Sequence, residues 1–346
     1  MSTGFKTATV ASADVPATQT NFPVYIDLSR LGITTQAEAD SVRVYANSSK
    51  TTEWARDIVS VSGCHCKIPS LTSTTSIYVY WDGTSADYAV TDTYGRNAVW
   101  SDYEWVFHGT LSSGNLIDST GNVTTSKYTG NTPTEQTGKL GNGFNPNGAY
   151  WLVSSYSPFS QVGSGDFSFQ TWMNPNTSSA RRSVVYMGRD VAFNDCYYFQ
   201  IFRSTETIVE DRNKPGATFR DGTAGQANNV STTNVDGSMR MYHHTRTGTT
   251  AKSYLNGIND ATVTNSEVVV TLGISGNSVA TIAGIYTTGG QPIGSVVLDE
   301  MRFRGNLLSA DWITTEYNNQ SDEAGFWGTW SDVGGATNTT NFFLMM

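Results

Sequence analysis

Ser309-Ala310-Asp311-Trp312-Ile313-Thr314-Thr315-Glu316-Tyr317-Asn318-Asn319-Gln320 spells one short helix in a chain otherwise written in β-strands. Ser309 is a good N-cap, since its hydroxyl can accept an amide proton that a helix start leaves free. Asp311 falls in the first turn, where the helix dipole favours an acid. Trp312, Ile313 and Tyr317 recur at spacings that place them on roughly one face. Directly upstream, Val296-Val297-Leu298-Asp299-Glu300-Met301-Arg302-Phe303 reads as a strand. A closing strand and then one capped helix predicts a sandwich finished by a helix whose Trp312–Tyr317 face clamps onto its outside.

Working outward, the strand signals fall into two unlike segments. In the first, residues 1–103, Phe22–Leu28, Ser41–Tyr45 and Ile77–Trp81 read as half-buried strands, and Gln36–Asp40 as a single helical turn. In the second, residues 104–331, Gly165-Asp166 leads into Phe167-Ser168-Phe169-Gln170-Thr171-Trp172-Met173, with Phe167, Phe169 and Met173 on the core side. Tyr197–Phe202 and Met239–Arg246 are further strands, and Ser253–Gly257 ends in the hairpin dipeptide Asn256-Gly257. Many strands joined by short polar turns predict an all-β protein: a small β-sandwich, then a larger jelly-roll sandwich. Residues 332–346 read as a small, polar tail that ends in the apolar run Phe342–Met346.

Composition agrees with that class and excludes others. Of 346 residues, 33 are Gly, 17 Tyr and 9 Trp, and only 15% are charged. The net charge of −9 comes without any basic stripe, which argues against nucleic acid as a partner. Three cysteines (Cys64, Cys66, Cys196) cannot all pair, so a disulfide framework is not expected. No apolar run is long enough to span a membrane, and Met1–Lys6 lacks the apolar region of a signal peptide. Synthesis in a cytoplasm without a signal peptide is the expectation.

The second segment resembles the LamG-like, concanavalin A-like lectin/glucanase superfamily. Asp118–Asn122 is similar to its D-S-S-G-N opening, Gly138–Phe144 to its G-K-F-G-N-A-L turn and Gly165–Met173 to its G-D-F-T-I-E-A-W-V strand. Met241–His244 stands where W-H-H is usual, Tyr254–Gly257 matches Y-V-N-G, and Leu298–Phe303 matches I-D-E-V-R-I. The ordered set covers most of residues 105–320. The first segment resembles the DUF2341 small β-domain through Phe22–Leu28, Glu53-Trp54, Lys67–Leu71 and Ile77–Gly83. This pairing of domains implies a surface or secreted bacterial protein or a phage virion protein, and the missing signal peptide favours the virion.

The resemblance includes glucanases, which place their carboxylates on one strand as E-x-D-x-x-E. That motif is absent, and Asp299-Glu300 are consecutive, so on a regular strand they point to opposite faces. Asp299 then reads as a buried structural acid and Glu300 as half of a surface pair with Arg302. His243 and His244 likewise point to opposite faces, and His243 reads as structural, as do Trp312 and Tyr317. Cys64-His65-Cys66 lacks the second pair that tetrahedral zinc requires. No catalytic residue and no confident metal site is expected; calcium is a minor option, with Asp118, Asn122, Asp190, Asn194 and Asp195 as its oxygen ligands. A glycan site needs an aromatic platform and convergent polar groups. Trp172, Tyr198, Arg240 and Arg246 are the candidates, on the reading that they share a concave sheet face; packing against the first domain is the competing reading for that face.

The expected protein is non-enzymatic: a phage virion surface component on tail or capsid, homo-oligomeric, bound to other virion proteins and to glycans. A glycan-degrading hydrolase and an exported bacterial adhesin are the alternatives.

Overall fold

The computed structural model describes residues 3–61, 63–154, 165–175, 182–188, 196–202, 209–221, 225–270, 279–284, 293 and 296–334. The all-β class holds: among the described residues, four sheets form two sandwiches. In the first, Gly4–Thr9, Ser76–Trp81, Arg43–Tyr45 and Glu53–Trp54 pair antiparallel in that order. They face a smaller sheet of Gln19–Asp27, Gly63–Leu71 and Arg56–Ser60. Phe22, Val24, Ile26, Cys64, Cys66 and Ile68 are fully buried, as period-two alternation of apolar residues dictates. The single helical turn Gln36–Asp40 is present, started by a capping box in which Thr35 and Glu38 satisfy each other's amides.

The second sandwich stacks a seven-stranded sheet on a nine-stranded one. Phe167, Phe169 and Met173 face the core between them, where Phe169 meets Phe199 at 5.8 Å and Phe167 meets Tyr197 at 4.9 Å. The Asn256-Gly257 hairpin has both residues at positive φ, 51° and 81°, as the tight I′ turn requires. A side chain at Gly257 would collide with Tyr317, so this turn also sets how closely the terminal helix approaches.

That helix, Ala310–Ser321, starts at the Ser309 cap, whose hydroxyl accepts from the Trp312 amide at 3.1 Å. It does not clamp the outside of one sandwich. It lies between the two. Trp312 packs on Phe22 of the first sandwich at 4.7 Å, while Tyr317 stacks on Trp172 of the second at 5.9 Å. Asn319 substitutes for a strand neighbour: its side-chain amide accepts from the Tyr25 amide (2.6 Å) and donates to the Tyr25 carbonyl (3.1 Å). One apolar core thus runs from Phe22 and Val24 through Trp312 and Ile313 to Trp172 and Met241. A second short helix, Glu323–Trp327, was not evident from the sequence; its Trp327 indole donates to the Tyr25 carbonyl at 3.0 Å. Beyond it, Ser331–Asp332 pairs with Lys6 and Thr7 as an edge strand of the first sheet, where the second segment was expected to give way to a polar tail. The apolar run Phe342–Met346 lies outside the described residues.

Candidate functional site

Where the sandwiches meet, the sequence places ionisable side chains that the strand alternation alone would send elsewhere. Glu300 has φ +49°, and the register of the Phe167–Met173 strand against Leu298–Arg304 slips there. Trp172 pairs with Asp299 and Gln170 with Arg302, so residues three apart occupy one face. This bulge turns Asp299, Glu300 and Arg302 together towards the first sandwich. The expected opposite-facing acids and exposed Glu300–Arg302 pair are therefore corrected: both members of that pair are fully buried.

Glu300 ion-pairs with Arg302 through Oε2, and its Oε1 lies 2.6 Å from His108 Nδ1. His108 Nε2 lies 3.2 Å from Asp57, which also accepts from the Trp100 indole at 2.7 Å. His65 lies 3.3 Å from Glu300, stacked on His108 at 5.0 Å, and Arg302 reaches on to Glu316 of the helix at 2.6 Å. Burial disfavours charge on all of them, and the partners decide the outcome. Burial works against the His108 imidazolium, but Glu300 and Asp57 together raise its pKa to about 9. Burial lowers His65 to about 4, despite Glu300. Burial opposes the Glu300 carboxylate, yet His108 and Arg302 hold its pKa well below the usual range. Burial raises Glu316 to about 7 against the pull of Arg302, and raises Asp299 to about 7 with the help of Glu300.

His65, His108 and Glu300 bring their ligand atoms within 4.8 Å of one another. They do not fit a metal. Ligands on one tetrahedral zinc stand roughly 3.3 Å apart at bond lengths of about 2.0–2.1 Å, whereas His108 and Glu300 touch at 2.6 Å in a hydrogen bond. The Arg302 guanidinium also occupies the other Glu300 oxygen. Nor is His108 a base at neutral pH, because its two carboxylates keep it protonated. The chemistry available to this cluster is to tie the sandwiches together.

The glycan candidates do not converge. Trp172 is buried under the helix, its indole donating to Gln320 at 2.5 Å. Tyr198 is buried on the outer face of the other sheet, beside Tyr186 and Cys196. Arg246 faces the inter-sheet core, donating to the carbonyls of Gly165 (3.0 Å) and Val270 (2.8 Å), and burial lowers its pKa to about 10. Arg240 pairs with Asp236 near the surface. Arg240 and Arg246 pair with the core-facing Met173 and Phe167, not with Trp172, so they stand on the opposite face of the sheet from it; alternation does not say which face of a strand meets the core or what covers the other. His243 and His244 are both buried, with neither on an open face: His243 lies 3.8 Å from Glu316, and His244 meets Ser253 at 2.9 Å.

Asp299 accepts from the amides of Lys139 (2.7 Å) and Leu140 (2.9 Å), fixing the Gly138–Phe144 turn. Of the calcium candidates, Asp118 spends its oxygens on its own loop. One accepts from the amides of Val106 and Thr120, the other from the amides of Asn122 and Val123 and the Thr120 hydroxyl. Asn122 donates to the carbonyls of Tyr103 and Glu104. Asp190, Asn194 and Asp195 lie outside the described residues.

Two open features were missed. A groove of about 530 Å³ runs between Gly225–Val230 and Ile258–Thr264, the last strands of the two sheets, lined by Gln226, Asn228, Asn229, Thr262 and Asn265. The amide-rich run Gln226-Ala227-Asn228-Asn229 was its only sequence signal. A smaller cleft of about 170 Å³ opens beside the ion cluster, walled by Ile58, Val59 and Ile117, with Arg96, Thr110 and Ser119.

No family model and no curated protein matches the sequence. Among solved structures, the chain is similar to the botulinum neurotoxin serotype D ligand binding domain in complex with N-acetylneuraminic acid, at 13% identity and TM-score 0.48, over 63% of this chain and 51% of that one. It is similar also to the binding domain of Paraclostridial Mosquitocidal Protein 1, at 12% identity and TM-score 0.47, over 63% and 52%. A structure of botulinum neurotoxin type C, whose cell entry depends on two ganglioside molecules, matches at 11% identity and TM-score 0.48, over 64% and 52%. The chain spans about half the length of these structures.

Proposed function

We propose that this chain is a non-enzymatic surface protein of a phage particle. In this reading its segments belong to the DUF2341 and LamG-like families they resemble. It holds to other virion proteins as a homo-oligomer and binds glycans from the medium or host. The observation that carries the glycan part is the groove between the last strands of the two sheets. Asp211 is the one charged residue of its lining, and each Asn or Gln amide there offers both a donor and an acceptor, as sugar hydroxyls require. At about 530 Å³ it has the size of a ligand site. The non-enzymatic part is supported by where the acids of the seam between the sandwiches stand: Asp299, Glu300 and Glu316 are buried and bonded to protein partners, out of reach of a polymer.

A glycan array tests the binding. The full chain should give saturable hits that Gln226→Ala with Thr262→Ala removes; unchanged hits in that variant would move the site elsewhere. Mass spectrometry of purified particles tests the setting, and absence of the chain from them would end the virion reading. Sustained hydrolysis of a polysaccharide, lost with one carboxylate, would replace it with the glycanase alternative.

A further inference from the structure

The smaller cleft differs from the groove in holding cations. It has two arginines, and they are in opposite states. Arg56 is fully committed: its guanidinium donates to Asp87 at 2.5 Å and to the Asp40 carbonyl at 2.9 Å, and it also reaches the Val42 carbonyl. Arg96, on the short helix Arg96–Val99, has its Nε buried with no hydrogen-bond partner among the described residues, and its guanidinium makes no ion pair there. A buried donor left without an acceptor is costly, and a planar guanidinium is matched best by a carboxylate that takes two of its protons at once.

The two acids of the lining are already taken, Asp87 by Arg56 and the Tyr88 amide, Asp57 by His108 and Trp100. The cleft therefore presents one uncommitted cation, hydroxyls at Thr110 and Ser119, and an apolar wall of Ile58, Val59 and Ile117. Its volume of about 170 Å³ is well below the roughly 300–1,000 Å³ of extended ligand sites, so it takes one small group.

We propose that this cleft binds a single carboxylate-bearing sugar residue, its carboxylate on Arg96, its hydroxyls on Thr110 and Ser119, and its apolar ring face on Ile117 and Val59. The sugar half of this assignment rests on the glycan-binding reading; the carboxylate half stands on Arg96 alone.

Ligand-observed NMR titration of the full chain tests it with three probes: methyl glucuronoside, methyl glucoside and acetate. The glucuronoside should bind about tenfold more tightly than the glucoside. Arg96→Ala should remove that preference and Arg96→Lys retain part of it. Val90→Trp, at an exposed lining position, should block the cleft without touching the cation, so it decides the matter if Arg96→Ala proves unstable. Acetate binding as tightly as the glucuronoside, and lost with Arg96→Ala, would support the carboxylate site and identify its source as a free acid. Equal affinity for glucuronoside and glucoside, or glucuronoside binding unchanged in both Arg96→Ala and Val90→Trp, would overturn it. If the array shows neutral glycans bound while the glucuronoside is not, this proposal fails and the groove reading stands; the reverse pattern sinks the groove alone.

Discussion

The seam between the sandwiches and the groove along the sheet edges of the second one are both polar, but in opposite ways. The seam is built of charges: Asp57, His108, Glu300, Arg302 and Glu316 form a chain in which each group answers the next. The groove is lined mainly by neutral amides, hydroxyls and small apolar side chains of two edge strands, with Asp211 as its one acid, and is open to solvent. A charge taken out of water must be answered inside the protein, so the seam's chemistry is spent on architecture. An amide at a surface groove keeps donors and acceptors to offer at little cost to folding. The comparison predicts that substitutions in the seam move stability and those in the groove move binding.

The largest expected effect is at Arg302. Its side chain is buried between Glu300 and Glu316, and Arg302→Ala leaves two carboxyls without their cation. Loss of one partner from a buried pair costs about 3–5 kcal/mol, which urea denaturation will resolve. A loss below about 1 kcal/mol would mean that the apolar core alone joins the sandwiches. Replacing the whole group, Glu300→Gln and Glu316→Gln with Arg302→Met, should recover much of the loss, since an apolar substitute avoids the desolvation cost.

The second effect is a pH dependence with a definite sign. His108 titrates near 9 when folded and near 6.5 when unfolded. The folded state binds the proton more tightly, so this stabilisation is complete below about pH 6.5 and is lost as pH rises through about 9. Below pH 7 other groups interfere. His65, lowered to about 4, makes stability fall with acid, while Asp299 and Glu316, raised to about 7, push the other way. Between pH 7.5 and 9.5 the His108 contribution should fall by about 2 kcal/mol, and the buried Cys64 and Cys66 thiols, pushed up by burial, add a loss in the same direction. The slope should become shallower in His108→Gln by about that amount; an unchanged slope would place its origin outside the seam.

The seam was the part of the molecule least legible in the sequence, and the reason is geometric. Strands such as Phe167–Met173 and Ser76–Trp81, the Thr35 turn and the capped terminal helix follow from local periodicity and capping chemistry, and all are present. The turn of Asp299, Glu300 and Arg302 onto one face depends on a one-residue bulge, which alternation cannot show because it breaks alternation. His65 and His108 reach Glu300 only once two separate sandwiches pack together. Trp172 failed as a glycan candidate for the same reason: its strand face was read correctly, but the helix and first sandwich that cover it come from distant sequence. The groove was hidden differently, since neutral amides on edge strands look like any polar turn.

A smaller effect is expected at the helix start that ties the seam together. Ser309→Ala removes the acceptor for the Trp312 amide and should cost about 1 kcal/mol. Ser309→Asp should retain most of the stability, because a carboxylate caps equally well and suits the dipole. If both variants lose the same amount, the hydroxyl is needed for packing and not for capping.

The smallest effect on stability, and the sharpest test of the comparison, is in the groove. Gln226 and Thr262 are exposed, and they stand on strands that each pair on one side only. Gln226 donates to Asn228 at 2.9 Å, and Thr262 makes a long contact of 3.4 Å to Asn259. Exposed substitutions of this kind stay within about 0.5 kcal/mol. Gln226→Ala with Thr262→Ala should therefore leave the urea midpoint and the pH 7.5–9.5 slope as they are in the parent chain, while glycan-array signal falls. Arg302→Ala, measured under conditions where it remains folded, should do the reverse and keep the array signal. If the groove pair instead lowers stability by as much as a seam variant, its amides are holding the two sheet edges together. The division between a polar region spent on folding and one kept for recognition would then fail at the place where it was drawn.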